Sequence, residues 1–201
     1  MSEQALPDLV IIGSPDLMEV QPPVPMEEVP SPAFRERLDI LRACMHAYHG
    51  IGIAAPQIGW AARVFCLGIE GHAERYPAAD AIPFGYWINP TVEPIGSETN
   101  WAWEGCLSVP GMRGWVQRPA TILARGLDET GTPKEVELSG FAARVYQHEY
   151  DHLDGRLYPS RVTEPRWLLP EKSFLQQADW PADWPSPSAR ASGPGFLATA
   201  P

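Results

Sequence analysis

The segment His148-Glu149-Tyr150-Asp151-His152 constrains this chain more than any other part of its sequence. In an α-helix, positions i and i+4 lie on the same face, so both imidazoles can reach one metal ion. Glu149 follows the first histidine, and its carboxylate can accept a proton from water at the open position of such an ion. The spacing therefore predicts a helix with two metal ligands and a general base, which is typical of metal-dependent hydrolases. A helix that carries two histidines on one face by chance would give the same pattern.

A metal ion on this helix needs a third protein ligand, and the sequence offers three alternatives. Metallopeptidases of the metzincin type place a third histidine after the second one, but this chain has Tyr158 at that position. Thermolysin-like enzymes use a downstream glutamate, for which Glu164 and Glu171 are available in a segment without helical periodicity. Cys106 lies upstream, and a thiolate with two imidazoles suits a tetrahedral Zn(II) or Fe(II) with one open position. The competing interpretation of Cys106 is a buried, inert thiol.

A third segment, residues 50–59, reads GIGIAAPQIG. Its glycines and alanines allow backbone to approach backbone or ligand closely. Gln57 is the one long polar side chain among these apolar neighbours. This setting favours a specific contact of its side-chain amide over a solvated surface position.

Taken in order, the three segments resemble the peptide deformylase family. The family motifs are G-φ-G-φ-A-A-x-Q, E-G-C-φ-S and Q-H-E-x-D-H-φ-x-G, where φ is apolar. They correspond here to residues 50–57, 104–108 and 147–155. The resemblance extends from about Leu9 to about Arg161, which is most of the chain.

The resemblance implies a metal-dependent hydrolase that removes the N-terminal formyl group from N-formylmethionyl peptides of newly made proteins. It implies one divalent metal ion per chain, with Fe(II) in the cell and Zn(II) as a replacement on isolation. The ligands that it implies are Cys106, His148 and His152. Glu149 would transfer protons, while the Gln57 side-chain amide and the Leu107 backbone N–H would donate to the oxyanion.

The resemblance also implies a substrate cleft beside the metal ion. Its substrate-binding residues would be Ile51, Gly52, Glu104, Gly105, Phe141, Arg144 and Val145. The last three would line the pocket for the methionine side chain. Arg144 is polar where an apolar residue would suit methionine, so its assignment has the least chemical support.

Two other functions fit parts of the sequence. A metallopeptidase that cuts internal peptide bonds would share the histidine pair but would not need Gln57. A non-catalytic binding module with the same fold would not need Glu149, which has no expected structural role. The presence of both residues together with the ligand set favours the deformylase.

The chain as a whole predicts an α+β fold, with antiparallel or mixed β-sheets packed around the central helix that carries the histidines. Ser31 and Pro32 begin an amphipathic helix whose apolar residues recur at intervals of three and four, and Gly50 is expected to end it. Ser139 is expected to cap the central helix. Strands are predicted at Arg63–Glu70, Gly85–Asn89, Thr121–Asp128 and Lys134–Leu138. His46 and His49 are expected to interact with a helix dipole and not with a metal.

The domain organisation is expected to be simple. Residues 1–178 are predicted to form a single catalytic domain. Residues 179–201 are rich in Pro, Ala and Ser and are predicted to be an irregular C-terminal tail. Trp180 and Trp184 are its large anchors and are expected to cover an apolar surface patch.

Composition limits the partners and the location of the chain. The net charge of −10 disfavours DNA and anionic membranes, although a local basic patch could still lie near the ribosome. No apolar run approaches the roughly 20 residues that a membrane span needs. The first residues are acidic and polar, so cytoplasmic residence is the expectation. A monomer is expected in preference to an oligomer.

Overall fold

The computed structural model describes residues 5–69 and 81–191. Its strands are β1 Gly52–Ala54, β2 Val64–Ile69, β3 Ile82–Pro94, β4 Thr99–Cys106, β5 Val109–Pro119, β6 Thr121–Leu127, β7 Pro133–Ser139 and β8 Leu168–Pro170. Its α-helices are α1 Pro32–Ala47, α2 Gly140–Leu153, α3 Glu171–Phe174 and α4 Pro187–Ala191. Short 3₁₀ helices lie at Pro15–Met18, Ala55–Ile58, Tyr158–Arg161, Pro165–Trp167 and Gln177–Asp179. The expected strand end at Glu70 lies outside the described residues.

Two antiparallel sheets surround the histidine-bearing helix. The first has the strand order β1-β2-β3-β6-β7, and the second has the order β4-β5-β8. Helix α2 contacts strands of both sheets, so it lies at the centre of the molecule. The predicted α+β class with sheets around a central helix is confirmed.

The two faces of α2 have different partners. Tyr146 packs edge-on against Phe65 and Trp87 of the first sheet, with ring centroids 5.0 and 4.8 Å away. On the other face, Asp151 and Arg144 bond to residues of the second sheet. The predicted metal ligands His148 and His152 therefore lie on a helix that the first sheet anchors and whose other face contacts the second sheet. Ser139 precedes α2 but makes no side-chain capping bond, contrary to the prediction.

Helix α1 begins as the sequence predicts and ends earlier than predicted. Ser31 Oγ accepts a hydrogen bond from the Phe34 backbone N–H at 3.1 Å. The helix ends at Ala47 because His49 adopts the left-handed conformation with φ 54°. The Gly50 N–H then donates to the Met45 carbonyl at 2.8 Å, so Gly50 follows the turn that ends the helix.

Strands β4 and β5 were not predicted from the sequence. Residues 100–104 are all buried, so β4 has no exposed face and its sequence lacks the alternation that identifies a half-buried strand. A two-residue turn, Leu107-Ser108, joins β4 to β5. This hairpin places Cys106 at the end of a strand.

Residues beyond 167 pack on the second sheet. Strand β8 pairs with β5, and Phe174 and Ala189 join a cluster of buried tryptophans. The structure thus places a short helix, α4, in the segment that the sequence predicts to be irregular, while residues 192–201 lie outside the described part. Trp180 contacts this cluster, whereas Trp184 is 42% exposed. A domain boundary at residue 178 stays a prediction.

Among the residues described, no helix has the length and apolar character needed to cross a membrane.

Candidate active site

The structure brings together the three predicted metal ligands, Cys106, His148 and His152, which we call the ligand group. Cys106 ends β4, while His148 and His152 lie one turn apart on α2. Their ligand atoms all lie within 4.8 Å of one another, and Cys106 Sγ is 3.3 Å from His152 Nε2. This donor set fits a single Zn(II) or Fe(II) ion. His46 and His49 are not part of the group.

The environment of Cys106 favours the thiolate that a metal requires. Burial opposes ionisation of the thiol, but the adjacent imidazoles of His152 and His148 lower its pKa to about 5. The Ser108 backbone N–H also donates to Cys106 Sγ at 3.4 Å. The inert-thiol interpretation of Cys106 therefore does not fit its surroundings.

Glu104 holds the first histidine ligand. Its Oε2 accepts a hydrogen bond from His148 Nδ1 at 2.9 Å, which leaves His148 Nε2 to face the ligand group. Burial disfavours the Glu104 carboxylate, but Arg118, His148 and Arg144 hold its pKa well below the usual range. Arg118 donates to both Glu104 oxygens, at 2.6 and 2.8 Å. Glu104 thus acts on the ligand geometry, a contact that its motif alone did not predict.

Arg118 extends this network along the same face of α2 to Asp151. Its Nη1 donates to Asp151 Oδ2 at 2.8 Å, and Arg161 Nε donates to the same oxygen at 2.6 Å. Asp151 therefore fixes α2 to β5 and to the 3₁₀ helix that follows. Gln147 adds a further tie, since its Nε2 donates to the Pro119 carbonyl at 3.0 Å.

In contrast to Glu104, Glu149 has few hydrogen-bond partners. Its side chain is 4% exposed, and its Oε2 has no hydrogen-bond partner among the described residues. Burial raises the pKa of Glu149 to about 7 against the opposing effect of His148 and His152. An oxygen that is buried, unpartnered and next to the ligand group is suited to exchange a proton there.

Gly52 makes room for this carboxylate. A Cβ at Gly52 would lie 2.5 Å from Glu149 Oε1, so any larger residue would displace Glu149. Gly52 was predicted to bind substrate, but it is buried and does not line the cleft. Its contact with Glu149 explains the need for glycine at this position.

Gln57 is anchored with its amide nitrogen toward the ligand group. The Ala54 backbone N–H donates to Gln57 Oε1 at 2.8 Å, which fixes the orientation of the amide. Gln57 Nε2 donates to Ser108 Oγ at 3.1 Å and lies 3.6 Å from Cys106 Sγ. The predicted specific contact of this side chain is therefore present.

A cleft opens onto the ligand group. The predicted site residues that line it are Ile51, Gln57, Glu104, Gly105, Cys106, Leu107, Phe141, Arg144, Val145, His148 and Glu149. Gly50, part of the glycine-rich segment that was expected to approach a ligand closely, also lines it, as do His49 and Trp103, which were not predicted. His49 reaches the cleft because its left-handed turn follows α1, a conformation that the sequence did not indicate.

The guanidinium of Arg144 is occupied by protein groups. Its Nη1 donates to Glu104 Oε1 at 2.5 Å, and its Nη2 donates to Asn100 Oδ1 at 2.7 Å. The charge of Arg144 is thus neutralised within the protein, which accounts for a charged residue beside Phe141 and Val145 in the wall of the cleft. Arg118 was missed as a site residue because no motif marks it and its partners lie far away in sequence.

Fold and site together define a metal-dependent hydrolase of the HExxH class. The family model described as "Polypeptide deformylase" matches residues 7–167. The chain belongs to the polypeptide deformylase family. It is 43% identical over 157 residues to peptide deformylase 2 of Pseudomonas putida, covering 78% of this chain and 88% of the relative. It is 44% identical over 153 residues to peptide deformylase 1 of Bordetella pertussis, covering 76% and 85%.

Solved structures agree with this assignment. The class I type b peptide deformylase of Acinetobacter baumannii with Met-Ala-Ser bound matches with a TM-score of 0.75 at 33% identity, covering 79% of this chain and 99% of that one. A peptide deformylase of Synechococcus elongatus in complex with actinonin matches with a TM-score of 0.69 at 30% identity, covering 82% of each chain. The chain is accordingly a metalloenzyme of protein biosynthesis that removes the formyl group from N-formylmethionyl peptides.

Proposed function

We propose that Cys106, His148 and His152 hold one divalent ion per chain, Fe(II) in the cell and Zn(II) after isolation in air. The observation that carries this proposal is the convergence of one thiolate and two imidazoles beside the unpartnered oxygen of Glu149. When bound, the ion supplies Lewis acidity to the reaction. The donor set suits both metals, and the resemblance to deformylases favours iron.

Glu149 is the group that moves the proton. It accepts a proton from the water that adds to the formyl carbon. It then delivers that proton to the nitrogen of the N-terminal methionine as the bond between this nitrogen and the formyl carbon breaks. The products are formate and a free N-terminal amine. Gly52 supports this role because its missing side chain lets the carboxylate lie close to the ligand group.

Gln57 and Leu107 stabilise the negative oxygen that forms during this addition. Gln57 Nε2 has two hydrogens, which face Ser108 Oγ at 3.1 Å and Cys106 Sγ at 3.6 Å. The hydrogen in the longer contact with sulfur turns to the formyl oxygen when substrate binds. The Leu107 backbone N–H is the second donor. A preorganised donor of this kind is typically worth about 3 kcal/mol in the transition state.

The cleft beside the ligand group binds the peptide. Ile51, directly before β1, and Gly105, in β4, both line it, and their backbones can pair with an extended peptide as an added strand. Phe141 and Val145 provide apolar surface for the methionine side chain. Glu104 and Arg144 neutralise each other in the same wall, so neither presents an unpaired charge to that side chain.

The protein acts in the cytoplasm as a monomer, close to the ribosome from which its substrates emerge. The net charge of −10 disfavours general binding to nucleic acid, so contact with ribosomal RNA would need a local patch. Gel filtration with light scattering would test the monomer, and sedimentation with ribosomes would test the association.

The decisive experiment measures deformylation of formyl-Met-Ala-Ser by protein purified without oxygen, together with its metal content. Activity that depends on one equivalent of Fe(II) and decays in air supports the proposal. Equal and air-stable activity with either metal contradicts the choice of iron. Digestion of casein in place of deformylation would instead indicate an internal peptidase.

A further inference from the structure

The family match ends at residue 167, but the described chain continues to residue 191. We call residues 168–191 the C-terminal extension. It contributes β8, α3 and α4, and these elements pack on the sheet that carries Cys106. This extension therefore lies against the strand that forms one wall of the cleft.

Trp103 is the first residue that both lines the cleft and contacts the extension. This residue is 3% exposed and lines the cleft, directly before Glu104. Its ring centroid lies 5.4 Å from that of Phe174 and 6.1 Å from that of Trp180. Its Nε1 donates to the Ala189 carbonyl at 2.8 Å. Residues of the extension thus fix both the plane and the rotation of the Trp103 ring.

The second contact passes through Arg113 and reaches Gly105, the residue after Glu104. Arg113 Nε donates to Glu171 Oε1 at 3.1 Å. The guanidinium lies so close to Gly105 that a Cβ there would overlap it. Glu171 thereby holds the Arg113 side chain against the backbone of the cleft wall.

These two contacts lie on either side of Glu104, the residue that orients His148. We propose that the C-terminal extension is a positioning element for substrate binding: through Ala189 and Glu171 it fixes Trp103 and Gly105, and so sets the width of the peptide cleft. This inference rests on the cleft assigned above. Because the contacts of the extension described above reach Trp103 and Arg113 and not the ligand group or Glu149, it acts on substrate affinity more than on the chemical step.

The first test replaces Glu171 with alanine and measures kcat and KM for formyl-Met-Ala-Ser. We expect KM to rise by about threefold or more while kcat and metal content stay close to wild type, as for lost ground-state binding. Glu171→Gln should recover part of the affinity, because its amide oxygen can still accept from Arg113. The control is Glu135→Ala, which removes an exposed ion pair with Arg125 on the other sheet, outside the cleft-lining residues. It should leave both constants unchanged.

The second test removes residues 186–201, and with them the Ala189 carbonyl, from the full chain. Its control removes only residues 192–201 and keeps Ala189. We expect the longer deletion alone to raise KM. If the longer deletion does not fold, the KM values of the Glu171 variants alone test whether the extension sets substrate affinity.

Thermal unfolding of every variant separates positioning from a purely structural role. Variants that unfold at a lower temperature with unchanged KM would overturn the inference, as would a rise in KM for the shorter deletion or for Glu135→Ala. An inactive wild type would instead overturn the proposed function, since every comparison above starts from measurable deformylation.

Discussion

Glu104 and Glu149 are two buried glutamates near the same histidine, and their surroundings differ in almost every other respect. Glu104 is 6% exposed and bonds to Arg118, Arg144 and His148. Glu149 is 4% exposed, and one of its oxygens has no partner in the described part of the chain. Burial disfavours both carboxylates, yet the pKa of Glu104 is held well below its usual range while that of Glu149 rises to about 7.

The comparison shows that partners, and not burial, assign the role of a buried acid. A carboxylate with two arginines stays ionised and can fix the orientation of His148. A carboxylate without such partners can gain and lose a proton near neutral pH. We therefore expect Glu104, on β4, to support His148 rigidly and Glu149, on α2, to transfer protons. Each of the following variants tests either the catalytic group expected around Glu149 or the support of His148 by Glu104.

The largest effect is expected for Glu149→Gln, which keeps the shape of the side chain but cannot accept a proton. Turnover should fall by at least about 100-fold, the usual scale of general acid–base catalysis. Metal content should stay at the wild-type value because Glu149 is not a ligand. The measurement is steady-state deformylation together with metal analysis of the same sample. Near-normal turnover would contradict the mechanism.

Gln57→Ala should have the next largest effect. If its amide nitrogen donates to the reacting oxygen as proposed, kcat should fall by about 100-fold, as for loss of one oxyanion donor. KM should change little, because the interaction strengthens only in the transition state. A variant with unchanged kcat and a raised KM would assign Gln57 to substrate binding instead.

Glu104→Gln tests the carboxylate that orients His148. Loss of the carboxylate weakens the hold on His148, and metal affinity should fall by about 10- to 100-fold, as for other groups that support a ligand. The variant also leaves Arg118 and Arg144 without their shared anion, so stability should fall by about 3 kcal/mol. Competition with a metal chelator measures the first effect and urea unfolding measures the second. Metal affinity equal to wild type would show that His148 does not need this support.

The spacing of His148 and His152 predicted two ligands on one helix face, whereas Cys106, which lies far from them in the sequence, was assigned through the family resemblance; the three residues do converge in the structure. The sequence predicted α1 and α2 from helical periodicity, but it missed β4 because both faces of that strand are buried. Arg118 and Trp103 were missed for a different reason. Their roles depend on partners that are distant in the chain, namely Asp151 and Ala189, and no local pattern records such contacts.

The smallest effect is expected for Arg144→Lys. This variant tests how much the support of His148 by Glu104 depends on Arg144, the second arginine that pairs with it. Lysine keeps the charge but cannot reach Glu104, Asn100 and the Val116 carbonyl at once, as the guanidinium does. Because Arg118 still pairs with Glu104, metal affinity should fall by less than about tenfold, a smaller loss than that expected for the carboxylate itself. KM for formyl-Met-Ala-Ser should stay near wild type, since the guanidinium bonds to protein groups in the cleft wall. A shift in KM alone, with metal affinity unchanged, would instead identify Arg144 as the substrate contact that the family resemblance implies.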